Sequence, residues 1–316
     1  MGKGRGGGPF RKPALSSAEL VDLMVRRGLE VQDRAAATRT LFHIGYYRLA
    51  PYARPFERPG RDHQFLPGTT IDDLLALYAF DRELRLLMLD ALGRIEVAYR
   101  AALSEVMSQV AGDPHWYTKP TYFDDSSDFK VLQGNVAQAL EQPFPALQDY
   151  VDRYSTPTLP PSWLMVEVLS IGQLNRVFKS LREPGHRDAV AGSLGLTDDL
   201  LESWLDSFVR VRNICAHHER LWDADLDKYP LVPEPGTAAW PERWGNLLEE
   251  AGRTLYAVVA AMQSMLFTIA PGAAWARTLA THLDGHEREA AVMGFPPDWV
   301  DDPFWQRAMG PIHPHA

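Results

Sequence analysis

Four side chains that could act on a phosphate lie within seven consecutive residues. Arg212, Asn213, His217 and His218 follow an apolar helical stretch, so they are expected at the C-terminal end of a helix, where the negative end of the helix dipole favours cations. Cleavage of RNA without a metal needs a base for the 2′-hydroxyl proton, an acid for the leaving oxygen and a fixed cation for the phosphate. Histidine and arginine can fill these roles, so this segment is the candidate catalytic site.

Helix geometry limits which of these side chains can meet within one chain. Residues 212 and 217 are five positions apart, about 140° around a straight helix, whereas Asn213 and Arg210 each share a face with His217. Arg212 can meet His217 across a cleft, at an unwound helix end, or in a second subunit. A two-fold dimer would bring two motifs together, so the spacing predicts a homodimer. The structural alternative is that the histidines only cap the helix or interact with its dipole.

Neither a metal nor a cofactor is expected at this segment. Cys215 is the chain's one cysteine, which leaves no thiolate cluster for zinc. His218 and Glu219 do not belong to a His-Glu-x-x-His pattern, and no carboxylate cluster accompanies them. Cys215 and His217 point about 160° apart on a helix, so no thiol and imidazole pair is expected and Cys215 is predicted to be a small buried residue.

The elements that position the motif are predicted to be helices throughout, with no alternating strands and no internal repeat. Thr70 and Asp73 form a capping-box pattern that opens a helix of up to about forty residues ending near Gly112, which is typical of a bundle spine. Shorter helices are predicted after Ser17 and over residues 33–43, 128–141, 144–154, 161–170, 173–182, 186–193, 198–220, 243–268 and 286–293. Thr197 is the predicted cap of the helix that carries the motif.

Three segments are predicted to be irregular. Residues 44–52 place aromatic side chains between glycine and proline, which favours a compact turn. Residues 223–241 contain four prolines and several acids and are typical of a loop, and the aromatic tail from Pro296 onward is expected to dock without regular structure. Trp222, at the exit of the motif helix, is expected to pack beneath it.

Composition indicates a globular protein of the cytoplasm. The 316 residues are 46% hydrophobic and 23% charged, with no apolar run of the roughly 18 residues that a membrane helix needs and no signal-peptide core at the N-terminus. The net charge of −9 argues against non-specific coating of nucleic acid. Residues 221–316 carry 13 Asp and Glu against 6 Lys and Arg, whereas residues 26–58 are basic and allow a local cationic surface.

Several patches of the sequence resemble a known family. Arg212 and His217 match the Arg-x4-His pattern of the HEPN superfamily of all-helical proteins. FHIGYYRL at residues 42–49, IEVAYR at 95–100, WLMVEVLSIGQL at 163–174 and MGFPPDW at 293–299 resemble the Abi-like (AbiD and AbiF type) abortive-infection family. The resemblance implies a single all-helical domain over residues 17–305 with the HEPN core motif at 212–217, after a Gly-rich start at 1–16 and before a tail at 306–316.

The resemblance also implies a function. It suggests a bacterial anti-phage protein that stops the growth of an infected cell by cutting RNA without a metal, as a homodimer, in response to a phage-derived or host trigger. On this interpretation His217 is the acid and base, Arg212 stabilises the phosphate charge, and Asn213 positions the phosphate or His217. Two alternatives stay open: a non-catalytic binder of a structured non-coding RNA that uses the same motif, and a protein-interaction regulator of a defence system.

Further residues are candidates for supporting roles, each with a structural alternative. Glu96 could approach the motif from a neighbouring helix, although with Arg100 it equally fits an exposed i to i+4 ion pair. Tyr47 and Arg48 could stack on and clamp RNA bases, although aromatic side chains in a turn are more often core. Arg210 and His218 could support the motif itself.

Overall fold

A computed structural model describes residues 13–60, 63–242 and 252–310 of the chain. Within these ranges the polypeptide forms fourteen α-helices with short 3-10 turns and no β-strand, which confirms the all-α prediction. Internal contacts divide the chain into two compact units, Met1–Arg82 and Glu83–Ala316.

The N-terminal unit is built on three short helices and the start of a fourth: α1 (Ser17–Arg26), α2 (Arg34–Ile44), α3 (Tyr46–Ala53) and α4 (Ile71–Ala111). Ser16 caps α1 in a capping box with Glu19, and the Asp33 carboxylate accepts two N–H groups at the start of α2. These helices enclose an apolar core that includes Val21, Met24, Leu41, Leu49, Phe65 and Leu74.

Helix α3 corrects the prediction of a turn over residues 44–52. Gly45, with φ of +85°, ends α2 and starts α3 in a conformation that disfavours other residues. The buried side chains recur at helical spacing, and they are Leu49, Tyr52 and Ala53. Pro51 lies inside the helix; burial of one apolar face outweighs the hydrogen bond that proline cannot donate.

Helix α4 confirms the predicted spine. It is 41 residues long, begins after Thr70, whose Oγ1 accepts from the N–H of Asp73, and ends before Gly112, with φ of +60°. Gly93 does not interrupt it. In the C-terminal unit its buried stripe repeats every three or four residues, at Leu84, Met88, Leu92, Ile95, Tyr99 and Leu103.

Ten further helices follow α4 in the C-terminal unit. They are α5 (Ser126–Ala139), α6 (Pro145–Arg153), α7 (Ser162–Val168), α8 (Ile171–Lys179), α9 (Pro184–Ser193), α10 (Asp198–Ala216), α11 (Leu255–Ile269), α12 (Trp275–Leu283), α13 (Glu287–Val292) and α14 (Pro303–Met309). Most of these match predicted helices within about four residues, although the first nine residues of the helix predicted over 243–268 lie outside the described residues. Residues 223–241 form the predicted loop.

Two elements were not predicted: α12, and α14 in the tail that was expected to be irregular. Both are short and held by tertiary contacts. The indole of Trp275 donates to the carbonyl oxygen of Leu87 at 2.8 Å, and that of Trp305 donates to the hydroxyl of Tyr256 at 2.9 Å. None of the described helices is both long enough and apolar enough to cross a membrane.

Candidate functional site

Helix α10 carries the motif and is defined clearly at both ends. Thr197 caps its start by accepting the N–H of Leu200, and Asp198 and Asp199 lie in its first turn, where the helix dipole favours negative charge. Its apolar face is buried, including Leu201, Trp204, Leu205, Phe208, Val211, Ile214 and Cys215. The motif is therefore the last turn of a rigid, packed helix, and Cys215 is the small buried residue that was expected.

The chain leaves α10 through a Schellman motif. The N–H of His218 donates to the carbonyl oxygen of Cys215 at 3.1 Å, and the N–H of Glu219 donates to that of Ile214 at 2.9 Å. His218 has φ of +56°, a left-handed conformation that glycine usually takes at this position. A histidine held there stores about 1 to 3 kcal/mol of backbone strain.

The side chains of the motif differ in exposure. Arg212 and Asn213 are half-buried, whereas His217 is exposed. A guanidinium N–H of Arg212 reaches Oδ1 of Asn213 at 3.4 Å, a long contact. Asn213 shares a helix face with His217, which follows it by four residues.

The backbone keeps Arg212 and His217 on different sides of the helix. The N–H of His217 donates to the carbonyl oxygen of Asn213 at 2.9 Å, and His217 has φ of −86° and ψ of 4°. The helical path thus continues to the Cα atom of His217, and the chain turns away only at His218. The separation of about 140° between residues 212 and 217 is retained, so unwinding does not bring them together.

A buried arginine from α4 supports the turn after the motif. Arg85 is 4% exposed, and its Nη1 donates to the carbonyl oxygen of Glu219 at 3.2 Å. Sequence reasoning missed this residue, although a charged side chain between Leu84 and Met88 on a buried helix face is a recognisable signal. Trp222, just beyond the turn, is buried, and its packing beneath the motif helix stays a prediction.

Arg210, two residues before the motif, is engaged with the loop that follows α10. Its Nε lies 3.0 Å from Oδ1 of Asp227. This contact holds the loop against α10. Arg210 lies on the helix face that also carries His217.

Glu96 and Arg100 lie farther along α4 and connect it to α7. The guanidinium of Arg100 contacts the Glu96 carboxylate and the carbonyl oxygen of Val166, and it lies 3.7 Å from Glu167. The side chains of Glu96 and Arg100 are mostly buried, so they do not form the exposed i to i+4 ion pair that the sequence allowed. Glu96 follows Arg85 by eleven residues, about 16 Å along the helix.

Tyr47 and Arg48 belong to the N-terminal unit, on α3. Tyr47 is 93% exposed, so it is not the core residue that the structural alternative proposed. Arg48 is also exposed. Within residues 13–60, 63–242 and 252–310, no group of three or more His, Cys, Asp or Glu side chains is placed to hold a metal ion.

Comparison with known proteins identifies the family. A model of the Abi-like protein family matches residues 39–223, more than half of the chain, and this range includes α10 and its motif. The search of curated proteins and the search of solved structures returned no match. On the strength of the family match, the chain belongs to the Abi-like protein family.

Proposed function

We propose that this protein, a bacterial abortive-infection protein by its family, is an endoribonuclease of the HEPN type that needs no metal. Its catalytic residues are His217, Arg212 and Asn213, in a site that two subunits complete. Cutting RNA inside an infected cell would stop growth, and a phage-derived or host trigger would release the activity.

The reaction follows from the chemistry of the three side chains. His217 takes the proton of a ribose 2′-hydroxyl, and that oxygen attacks the adjacent phosphorus atom. Arg212 stabilises the charge that develops on the phosphate, and Asn213 holds the phosphate or the imidazole in place. The bond to the 5′-oxygen breaks, and this oxygen receives the proton that His217 had taken, so His217 acts first as the base and then as the acid. The products are a 2′,3′-cyclic phosphate and a free 5′-hydroxyl.

One observation carries this proposal: an exposed histidine at the end of a helix whose terminus is fixed by a strained turn and by a buried arginine. A helix end that only needed capping would not require His218 in a left-handed conformation, since glycine fits there without cost. Residues held in sparsely populated conformations cluster at functional sites.

The retained angle between Arg212 and His217 supports a site shared by two subunits. Within one chain the two side chains leave α10 on different sides. If a two-fold axis passes near the ends of two copies of α10, His217 of one subunit faces Arg212 of the other. Each dimer then contains two equivalent sites.

The proposal is tested by incubating labelled total RNA in a chelator with the wild type and with His217→Ala and Arg212→Ala. The wild type is expected to yield fragments with 2′,3′-cyclic phosphate ends, and both variants are expected to lose at least 100-fold in rate. His43→Ala, which removes an exposed histidine from the N-terminal unit, is the matched control and keeps wild-type activity.

A different result would replace the nuclease with a binder. If neither the wild type nor His217→Ala cuts RNA but both co-purify with one discrete RNA, the motif serves phosphate binding without turnover. If activity in infected cells survives the Arg212→Ala and His217→Ala double change, the motif has no role and the protein acts through a protein partner.

A further inference from the structure

A pocket of about 200 Å³ opens within the N-terminal unit, between α1, α3 and the segment after it. Its floor is apolar and includes the buried residues Met24, Ala53 and Phe65. Tyr46 and Tyr47 line it from α3. The pocket does not include the Arg212 and His217 motif, and it has no part in the proposed chemistry.

The two tyrosines contribute differently. Tyr46 is half-buried, and its hydroxyl accepts a hydrogen bond from Nη1 of Arg27 at 3.0 Å, so ring and guanidinium hold each other in place. Tyr47 lines the same pocket yet is 93% exposed, so its ring has little contact with its own chain. A large aromatic side chain left this exposed offers a face on which a planar group can stack.

The charges of the pocket favour an anion. Arg27 and Arg54 line it, against one carboxylate, that of Glu57. Glu57 is engaged by His63, whose Nδ1 lies 3.0 Å from its Oε2. The two guanidinium groups are donors of the geometry that phosphate oxygens accept.

We infer that this pocket binds one nucleotide of a single-stranded RNA, with the base stacked on Tyr47 and the phosphate held by Arg54 and Arg27; this rests on the proposed function for the identity of RNA as the ligand. A volume near 200 Å³ is below the range of about 300 to 1,000 Å³ for drug-sized ligands, so it fits a single base rather than a folded ligand. The site anchors the RNA strand and takes no part in its cleavage.

A second aromatic pocket, in the C-terminal unit, is the alternative binding site for the nucleotide. It measures about 470 Å³ and includes Trp163 and Tyr154, each 56% exposed. Its lining contains one arginine, Arg153, and one carboxylate, Asp149, so with histidines counted as neutral it lacks the excess of cations that the N-terminal pocket has. Charge therefore favours the N-terminal pocket for a phosphate ligand.

The test measures binding of a fluorescein-labelled U8 RNA to full-length protein in chelator, in a His217→Ala background that prevents cleavage. Tyr47→Ala is expected to weaken binding at least tenfold, because stacking of one base is lost, whereas Tyr47→Phe stays within about twofold. Arg54→Gln is expected to lower the slope of log K against log salt by about 0.7, the value for one single-strand phosphate contact.

Arg39→Gln and Trp163→Ala are the controls, since they remove an exposed arginine of the same unit and the exposed tryptophan of the competing pocket. Thermal unfolding confirms that each variant is folded.

Three outcomes overturn the inference: unchanged affinity in a folded Tyr47→Ala protein, a loss of affinity confined to Trp163→Ala, or uridine monophosphate binding as tightly as U8. Failure of the inference and failure of the proposed function are distinguishable. A wild type that cuts RNA while Tyr47→Ala binds normally disproves the pocket alone. Tyr47-dependent binding by a protein that never cuts RNA disproves the nuclease alone.

Discussion

Nη1 of Arg85 donates a hydrogen bond to the carbonyl oxygen of Glu219 at 3.2 Å, across 134 residues of sequence. The bond joins the long helix α4 to the turn that ends α10, two residues beyond His217. Arg85 is 4% exposed, so this bond to a backbone oxygen of the turn is made in the protein interior. The candidate site therefore depends on a residue that does not belong to the motif.

Replacing Arg85 by methionine is expected to lower the free energy of unfolding by at least about 2 kcal/mol, because the hydrogen bond to Glu219, which has a charged donor, contributes about that much by itself. Loss of the bond also frees the turn that orients His217, so RNA cleavage should fall more than binding does. Urea unfolding and single-turnover cleavage measure the two effects. Arg94→Met is the control, because Arg94 makes an exposed pair with Asp90 that is worth less than about 0.5 kcal/mol. If the two variants lose the same unfolding free energy and the same cleavage rate, Arg85 has no special role at the site.

His218 permits a test of backbone strain that is independent of its side-chain contacts. Alanine removes the imidazole but keeps the cost of the left-handed conformation, whereas glycine removes both. His218→Gly is therefore expected to be about 1 kcal/mol more stable than His218→Ala. The comparison uses midpoints of chemical denaturation at constant slope. If the two variants are equally stable, the turn relaxes when the imidazole is removed, and the strain belongs to the histidine side chain.

The Glu96 and Arg100 pair is expected to serve the structure rather than the reaction. Arg100 donates to the carbonyl oxygen of Val166 on α7, so Arg100→Met should cost about 2 kcal/mol of stability. Glu96→Gln should leave the single-turnover cleavage rate within about twofold of the wild type, because the contacts of this pair lie on α7. A folded Glu96→Gln protein that cuts RNA tenfold more slowly would place Glu96 in the site.

Local chemistry explains which parts of this fold are readable from the sequence. The capping box of α4 and the apolar repeats of α4 and α10 concern residues three or four apart, so pattern and structure agree there. The glycine and proline of residues 44–52 predict a turn. The segment is helix α3 instead, because the helical conformation buries Leu49 and Tyr52. Helices α12 and α14 are too short to form alone and depend on the bonds of Trp275 and Trp305 to distant residues.

The candidate site likewise contains residues that the sequence pattern reveals and residues that only tertiary contacts reveal. Arg212, Asn213 and His217 lie within six residues at the end of one helix, and their type and spacing single them out. Arg85 reaches the same turn from another helix, and no local pattern connects it to residue 219. Tyr47 was recognised, but Arg48 was the cation expected beside it, whereas the pocket uses Arg27 and Arg54. Which arginine faces a tyrosine depends on tertiary contacts such as the hydrogen bond from Arg27 to Tyr46.

Gly294, in the MGFPPDW patch, is expected to tolerate no side chain. Its φ is +88°, and an added Cβ atom would lie 2.5 Å from Cβ of Thr254, the residue that precedes α11. Gly294→Ala should therefore destabilise the protein by about 3 kcal/mol through strain and overlap together. Gly285→Ala is the control: its φ is +75° but no atom lies within 4 Å, so only about 1 kcal/mol of strain is expected. Similar losses in both variants would show that Thr254 moves aside.

Two inactive variants are expected to restore each other if His217 of one subunit works with Arg212 of its partner. In an equal mixture of Arg212→Ala and His217→Ala, random exchange makes half of the dimers mixed, and one of the two sites in each mixed dimer is complete. Cleavage should then return to about a quarter of the wild-type rate. Sedimentation of a size-tagged partner verifies that subunits exchange. A mixture of Arg212→Ala with the Arg212→Ala and His217→Ala double variant is the control and stays inactive, because its dimers contain no Arg212. If exchange occurs and the first mixture also stays inactive, both residues act from one subunit, and the angle between them on α10 must be overcome by a movement of the chain.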